Sequence, residues 1–218
     1  MTARAGAGTV PLVGDRNQLD YIRHYLGEFQ GPYLEVGSRD YGSTADLRSL
    51  VPAGSPYVGL DMSAGDGVDL VLDLTADFEE IDEALDGERF GTIFCLSVME
   101  HSARPFRMAD NMTRLLAEGG KLCISVPFAW KFHGYPSDYW RFTHAGVMQL
   151  FPDLQFDLDK AALSTGRGGD LRPLDEGLGR VTFGGGKRLR PLLRLCRRIL
   201  GYRYVMPPTL INMIGRRA

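Results

Sequence analysis

The sequence predicts an α/β fold, a mostly parallel sheet wound in βα units and held in one domain over residues 1–218. Three observations predict it. Short β-branched or aliphatic runs recur along the chain, each bounded by turn residues. Stretches with apolar residues at helical spacing separate them. The first run, YLEVGSRDYG, passes straight from a strand into a glycine turn, as strands do where an open sheet meets a ligand. With 44% apolar residues and a formal net charge of -2, the 218 residues supply one large core, and two full domains would be tight.

Taken in order, residues 1–15 are small and Gly-rich and are expected to be loose. Asn17 to Phe29 then sets Leu19, Ile22, Tyr25, Leu26 and Phe29 on one helical face. Strands follow at 33–36 (YLEV), 57–61 (YVGLD), 69–73 (DLVLD), 91–97 (GTIFCLS) and 121–127 (KLCISVP), with helices over Ser43–Leu50, Phe78–Leu85 and Pro105–Leu116 between them. Residues 128–144 form a long loop rich in aromatic and polar side chains, and a short helix over Ala145–Phe151 can be capped by Thr143. FDLDKAAL reads as a strand. Residues 163–202 form an insertion: eight glycines between Gly166 and Gly186 give an irregular loop, and the basic segment KRLRPLLRLCRRILG follows. TLINMIGRR closes the chain as a last strand, and no internal repeat is found.

Composition removes several function classes. No run approaches the ~20 apolar residues of a membrane span and no secretory leader is evident, so the expected location is the cytoplasm. Cys95, Cys123 and Cys196 are too widely spaced for a disulfide framework or a zinc motif. The charge is divided: residues 1–159 carry net -12 and residues 160–218 net +10. On a wheel of ~100° per residue, Leu189, Leu192, Leu193, Leu195, Cys196, Ile199 and Leu200 cover an arc of about 160°, with Arg190, Arg194, Arg197 and Arg198 opposite. This basic amphipathic helix, 187–201, has two open readings: contact with an anionic membrane, or packing on its own domain or a sister subunit in a homodimer. No base-reading motif or aromatic interleaving accompanies the arginines, so nucleic acid is not expected.

Chemistry concentrates at the glycine turn. Gly37 lets backbone approach a ligand, and Asp61, nineteen residues past Gly42 at the end of the next strand, is placed to accept from the two hydroxyls of a ribose. From here the chain resembles a class I S-adenosylmethionine-dependent methyltransferase over residues 18–160 and the final strand. The E-V-G-x-G-x-G stretch of that family corresponds to Glu35, Val36 and Gly37, and its acidic residue after the second strand to Asp61, followed by Met62. Its D-L pair corresponds to Asp73 and Leu74, its fourth-strand segment to Phe90–His101, and its L-x-P-G-G-x-L segment to LLAEGGKLCISVP. Arg39 and Tyr41 stand where the family has its second and third glycines, and Gly91 replaces an aspartate. The resemblance implies a Rossmann-like, seven-stranded sheet with an antiparallel last strand. It implies S-adenosylmethionine as cofactor, bound by Glu35, Gly37, Ser38, Arg39, Asp61, Met62, Asp73, Leu74 and Ser97. Arg39 either meets the cofactor carboxylate or is structural; Glu100 and His101 either touch cofactor or substrate or brace the helix after strand four.

HGYPSDYWRFT, residues 133–143, resembles a loop in a bacterial subset of these enzymes associated with sugar or natural-product pathways. It follows the fifth strand and so overhangs the ligand edge of the sheet. Tyr135, Tyr139 and Trp140 offer stacking faces, and Arg141 a fork of donors, for a small-molecule acceptor. His133 is the first candidate base for a hydroxyl acceptor, His101 the second, with Asp138 as an accompanying anion. Against this, Asp138 and Arg141 can pair to hold the loop and Trp140 can plug the core. No spacing is diagnostic of a metal. The expected function is methyl transfer to a hydroxyl or amine of a small polar molecule, preferably a sugar or glycosylated natural product. A nicotinamide-dependent oxidoreductase and a non-catalytic cofactor-binding scaffold are the alternatives.

Overall fold

A computed structural model of the chain describes residues 13–41, 46–134, 136–164, 171–174 and 209–218. Five parallel strands make the first half of a single sheet: β1 (Tyr33–Val36), β2 (Tyr57–Asp61), β3 (Leu70–Val71), β4 (Phe90–Leu96) and β5 (Leu116–Pro127). Alternation along them builds two core faces. Tyr33, Phe94 and Cys123 pack with Leu19, Tyr21 and Ile22 of helix α1 (Val13–His24). On the other face Leu34, Ile93 and Leu122 meet Ile81 of α2 (Phe78–Ala84) and Met108 and Met112 of α3 (Pro105–Leu115). Pro105 opens α3 at a position whose N–H needs no partner. Thr143 caps α4 (His144–Leu150) by accepting from the Gly146 N–H at 3.0 Å.

Among the described residues the sheet has nine strands rather than the seven expected, in the order β3-β2-β1-β4-β5-β9-β7-β8, with β6 also on β9. The last strand, β9 (Leu210–Arg217), runs antiparallel between β5 and its other neighbours. The strand expected over FDLDKAAL is two, β6 (Leu154–Phe156) and β7 (Ala162–Ser164). Between them Asp157 accepts from Asp159 N–H on its side chain and from Lys160 N–H on its carbonyl, a turn that the apolar alternation did not reveal. A further strand, β8 (Leu171–Pro173), lies inside the stretch expected to be irregular and pairs with β7.

Other boundaries moved as well. The first helix begins at Val13, inside the segment expected to be loose, and ends at His24, leaving a separate 3-10 turn at Leu26–Glu28. In place of a helix over Ser43–Leu50 there is a 3-10 turn at Arg48–Leu50; residues 42–45 lie outside the described residues. The third strand pairs only at Leu70–Val71. β5 starts at Leu116, where its register on β4 shifts across the Gly119-Gly120 segment. Residues 1–12, Gly42, Tyr135, Cys196 and the basic helix 187–201 also lie outside the described residues. Cys95 and Cys123 are buried free thiols, and no helix among the described residues is long and apolar enough to cross a membrane.

Candidate functional site

Parallel strands end together, so β1, β2, β4 and β5 present their carboxyl ends on one edge. At the end of β1, Gly37 takes a left-handed φ of 77°, and a Cβ there would stand 2.5 Å from Val98 Cγ2. Only glycine fits such a turn. The Gly37 N–H donates to the Leu60 carbonyl at 2.8 Å, which binds the turn to β2. Next to it Ser38 is buried, and its Oγ makes no hydrogen bond. The following residues are sealed against the 65–67 loop: Asp40 N–H donates to Asp66 O, and a Cβ on Gly67 (φ 84°) would be 2.5 Å from Ser38 O.

Asp61 ends β2 and is buried as a residue, 9% exposed; Oδ1 accepts from the Ser63 N–H at 2.9 Å. Met62 beside it is 63% exposed, an open apolar surface at the ligand edge. A buried acidic residue next to an exposed apolar side chain suits a nucleoside, one end polar and the other flat. Asp73 is exposed and caps the Thr75 N–H at 2.8 Å. The Leu74 side chain lies in the core with Phe78, and its carbonyl accepts from Asn111 Nδ2 at 2.8 Å. Arg39 packs on Gly65, with its guanidinium carbon 5.1 Å from the Tyr41 ring centroid. Glu35 accepts from the Tyr57 hydroxyl at 2.6 Å, and burial pushes its carboxyl up to about 7 against the pull of that bond and of Arg48. Glu35 and Ser38 line a cleft of ≈ 380 Å³ with Asp40, Arg48, Asp66 and Asp69; Asp61 is outside it.

Ser97, after β4, has a φ of 53°, and its N–H donates to the Ser125 carbonyl at 2.8 Å. Its Oγ accepts from Gln18 Nε2 at 2.7 Å, and the same nitrogen reaches Ser125 Oγ at 3.1 Å. Gln18 thus fastens α1 across the ends of β4 and β5. Its only sequence signal was a polar residue next to the apolar face that carries Leu19 and Ile22.

Three residues beyond Ser97 a second group of side chains converges. Glu100, on the 3-10 turn Met99–His101, is 1% exposed; burial pushes its carboxyl up to about 8, and Oε2 has no hydrogen-bond partner. His101 Nδ1 bonds the Ser137 carbonyl, and Nε2 lies 3.9 Å from Glu100 Oε1; burial holds this imidazole below its usual pKa. The rings of His101 and His133 meet edge to face, centroids 5.0 Å apart. Asp138 Oδ2 accepts the His133 backbone N–H at 2.9 Å and lies 3.2 Å from His133 Nδ1, which is buried and makes no hydrogen bond.

Arg141 forks onto Asp138, with Nη2 to Oδ2 at 2.7 Å, and this bond holds the carboxyl well below the usual carboxylate range. Asp138 therefore stands behind His133 with its oxygens engaged, and Arg141 holds the loop. The loop also grips the 99–102 turn directly. Tyr139 N–H donates to the Glu100 carbonyl at 2.8 Å, and Trp140 Nε1 to the Ser102 carbonyl at 2.8 Å. Trp140 is 40% exposed; the side chain that plugs the core is Phe142, 7% exposed. Tyr139 is exposed as a stacking face requires. His101, His133, Asp138, Tyr139, Trp140 and Arg141 are thus drawn together around Glu100, while Gly37, Asp61, Met62 and Ser97 share the strand ends.

No family model matches the sequence, and neither does any curated protein. Solved structures do. A SAM-dependent methyltransferase from Archaeoglobus fulgidus superposes with a TM-score of 0.57 at 14% identity, covering 92% of this chain and 94% of its own. The N-methyltransferase NodS from Bradyrhizobium japonicum, solved with S-adenosyl-L-homocysteine, gives 0.57 at 12% identity over 95% of this chain and 88% of its own. The 1,6-didemethyltoxoflavin-N1-methyltransferase of Burkholderia thailandensis gives 0.53 at 12% identity, covering 94% and 78%. With the antiparallel β9 set between β5 and β7, the chain has the Rossmann-like fold of the class I S-adenosylmethionine-dependent methyltransferases.

Proposed function

We propose that the chain transfers a methyl group from S-adenosylmethionine to a hydroxyl or amine of a small polar molecule, with a sugar or glycosylated natural product the preferred acceptor, in the cytoplasm. The observation that carries this reading is the pairing of the Gly37 turn, where a side chain would strike Val98, with the carboxylate of the buried Asp61 at the next strand end. The fold shared with enzymes solved with S-adenosylhomocysteine supports the same cofactor here. When bound, that cofactor supplies a methyl group already activated on a sulfonium, so the protein's part is to position and to handle a proton.

Each part of the site has a role in this reading. Asp61 holds the ribose hydroxyls, Met62 lies under the base, and the bare Gly37 backbone leaves room for the sulfonium end. The unbonded Ser38 Oγ is a further polar group at that turn. On the acceptor side Tyr139 and Trp140 supply exposed ring faces. For a hydroxyl acceptor the proton leaves at the Glu100–His101–His133 group, where Asp138 holds His133 in place through the backbone N–H. An amine acceptor needs only its neutral lone pair, and the two N-methyltransferases among the similar folds support that class equally.

The test is calorimetry with S-adenosylhomocysteine. Asp61→Ala removes charge-assisted hydrogen bonds worth about 1.5–3 kcal/mol, a loss of roughly ten- to a hundredfold in affinity. Unchanged affinity in a folded Asp61→Ala protein, or preferential binding of a nicotinamide dinucleotide, overturns the assignment.

A further inference from the structure

We propose that Glu100, His101 and His133 bind a divalent transition-metal ion of the Zn²⁺ type at the acceptor end of the site. One ligand atom from each residue lies within 4.8 Å of the others, although they come from separate segments, the 3-10 turn after β4 and the loop after β5. Two imidazoles and a carboxylate form a donor set matched to Zn²⁺, Co²⁺ or Fe²⁺ and poorly matched to Mg²⁺, which prefers oxygen.

Two further observations point to a cation. Glu100 is 1% exposed, and its Oε2 has no hydrogen-bond partner. A buried carboxylate left in that state is costly, and a bound cation removes the cost. The nearest guanidinium, Arg141, is already forked onto Asp138. The second observation is the orientation of the imidazoles. His101 gives Nδ1 to the Ser137 carbonyl, which leaves Nε2 for the ion, and a backbone carbonyl partner of this kind fixes ring orientation and tautomer at metal sites. The buried Nδ1 of His133 makes no hydrogen bond, although Asp138 Oδ2 lies 3.2 Å away. Ligands ~2.1 Å from a tetrahedral ion stand roughly 3.4 Å apart, so the 3.9 Å between Glu100 Oε1 and His101 Nε2 closes by about half an ångström on binding and no pair of the set, all within 4.8 Å, by more than about 1.4 Å.

Three protein ligands leave a coordination position open. An acceptor hydroxyl entering it loses its proton to solvent more readily, because the ion stabilises the alkoxide, and His133 then serves as a ligand rather than as the base. This role rests on the methyl-transfer reading; the ion site does not.

The test uses the full, untagged chain stripped with chelator and titrated with Co²⁺, whose visible d–d absorption reports binding, followed by displacement with Zn²⁺. One Co²⁺ per chain is expected, displaced by Zn²⁺ and not by equal Mg²⁺. His133 sits on the loop with its side chain 34% exposed, so His133→Ala is expected to fold. It weakens binding more than about a hundredfold, since even an outer partner of a ligand is worth 10–100-fold. Glu100→Gln, which keeps the shape and removes the charge, weakens it too, and His24→Ala, on the exposed side of α1, does not. No saturable binding by the folded chain, undiminished binding in His133→Ala, or preference for Mg²⁺ overturns the site. Calorimetry of the same stripped protein with S-adenosylhomocysteine separates the two readings. Cofactor binding together with no saturable ion binding in the Co²⁺ titration sinks only the metal; ion binding together with no cofactor binding sinks only the methyl transfer.

Discussion

Replacing Gly37 with alanine tests whether the turn after β1 is built for close approach. Two costs are legible in the structure. At a φ of 77° an alanine sits in the left-handed region, which costs an L-residue about 1–2 kcal/mol. Its Cβ would also stand 2.5 Å from Val98 Cγ2, and relieving such an overlap in a packed site costs a further ~1–3 kcal/mol. Gly37→Ala is therefore expected to lose about 2–5 kcal/mol in urea unfolding. The two terms can be separated, because Val98→Ala removes the clashing methyl and leaves the φ cost untouched. In the double-mutant cycle Gly37→Ala and Val98→Ala should couple favourably by about 1–3 kcal/mol, with the backbone cost surviving in the double variant. A coupling energy within ~0.5 kcal/mol of zero refutes the steric account, since unconnected sites add to that tolerance.

Three further outcomes follow from the same geometry. Glu35 holds its proton in the folded state up to about pH 7, whereas the unfolded chain releases it near 4.5, so stability falls as pH rises through that window, by about 3 kcal/mol at most. Glu35→Gln, whose amide oxygen still accepts from Tyr57, should remove this slope from urea midpoints measured between pH 5 and 8. Glu28 behaves oppositely: Lys121 at 2.6 Å and Lys160 at 2.8 Å lower its carboxyl to about 2, so the stability it contributes is present above pH 4.5 and lost as pH falls toward 2. The acid limb of thermal unfolding should flatten in Glu28→Gln. Phe142→Ala empties a buried site beneath the loop after β5 and is expected to cost about 3 kcal/mol or more by urea unfolding, with the exposed Trp140→Phe costing far less.

The parallel half of the sheet was legible because each strand is a short apolar run ended by a turn residue, and each run has a helical segment beside it to cover a face. Asp61 could be placed at the end of the second strand because that run is short, apolar and closed by an acidic residue. The other half was less legible. FDLDKAAL alternates like a strand, but Asp157 can satisfy the Asp159 N–H with its own side chain, and that local bond competes with the ladder. Leu74 was read with its acidic neighbour, yet an apolar side chain next to Phe78 goes to the core. The approach of Glu100, His101 and His133 is tertiary: it depends on how the loop after β5 folds back onto the turn after β4, and no spacing within either segment encodes it. Of the two readings open for Asp138 and Arg141, the fork between them is the loop-holding one, and Asp138 keeps a second contact, to His133.

The place of β9 has a consequence for how the protein is made. Residues 121–127 find their outer neighbour only in residues 210–216, and β6 and β7 attach to the sheet through that same strand. During synthesis, β1 to β5 can assemble while the rest is still being translated. Meanwhile β5 waits with an open edge whose side chains include Leu122, Ile124 and Val126. Such a ladder is an invitation to pair with a second nascent chain, and its closure depends on contacts distant in sequence, the slowest kind to form. Truncations that remove residues 210–217 are therefore expected to yield aggregates rather than a smaller folded domain, and expression should be more sensitive to temperature than the stability of the finished protein suggests.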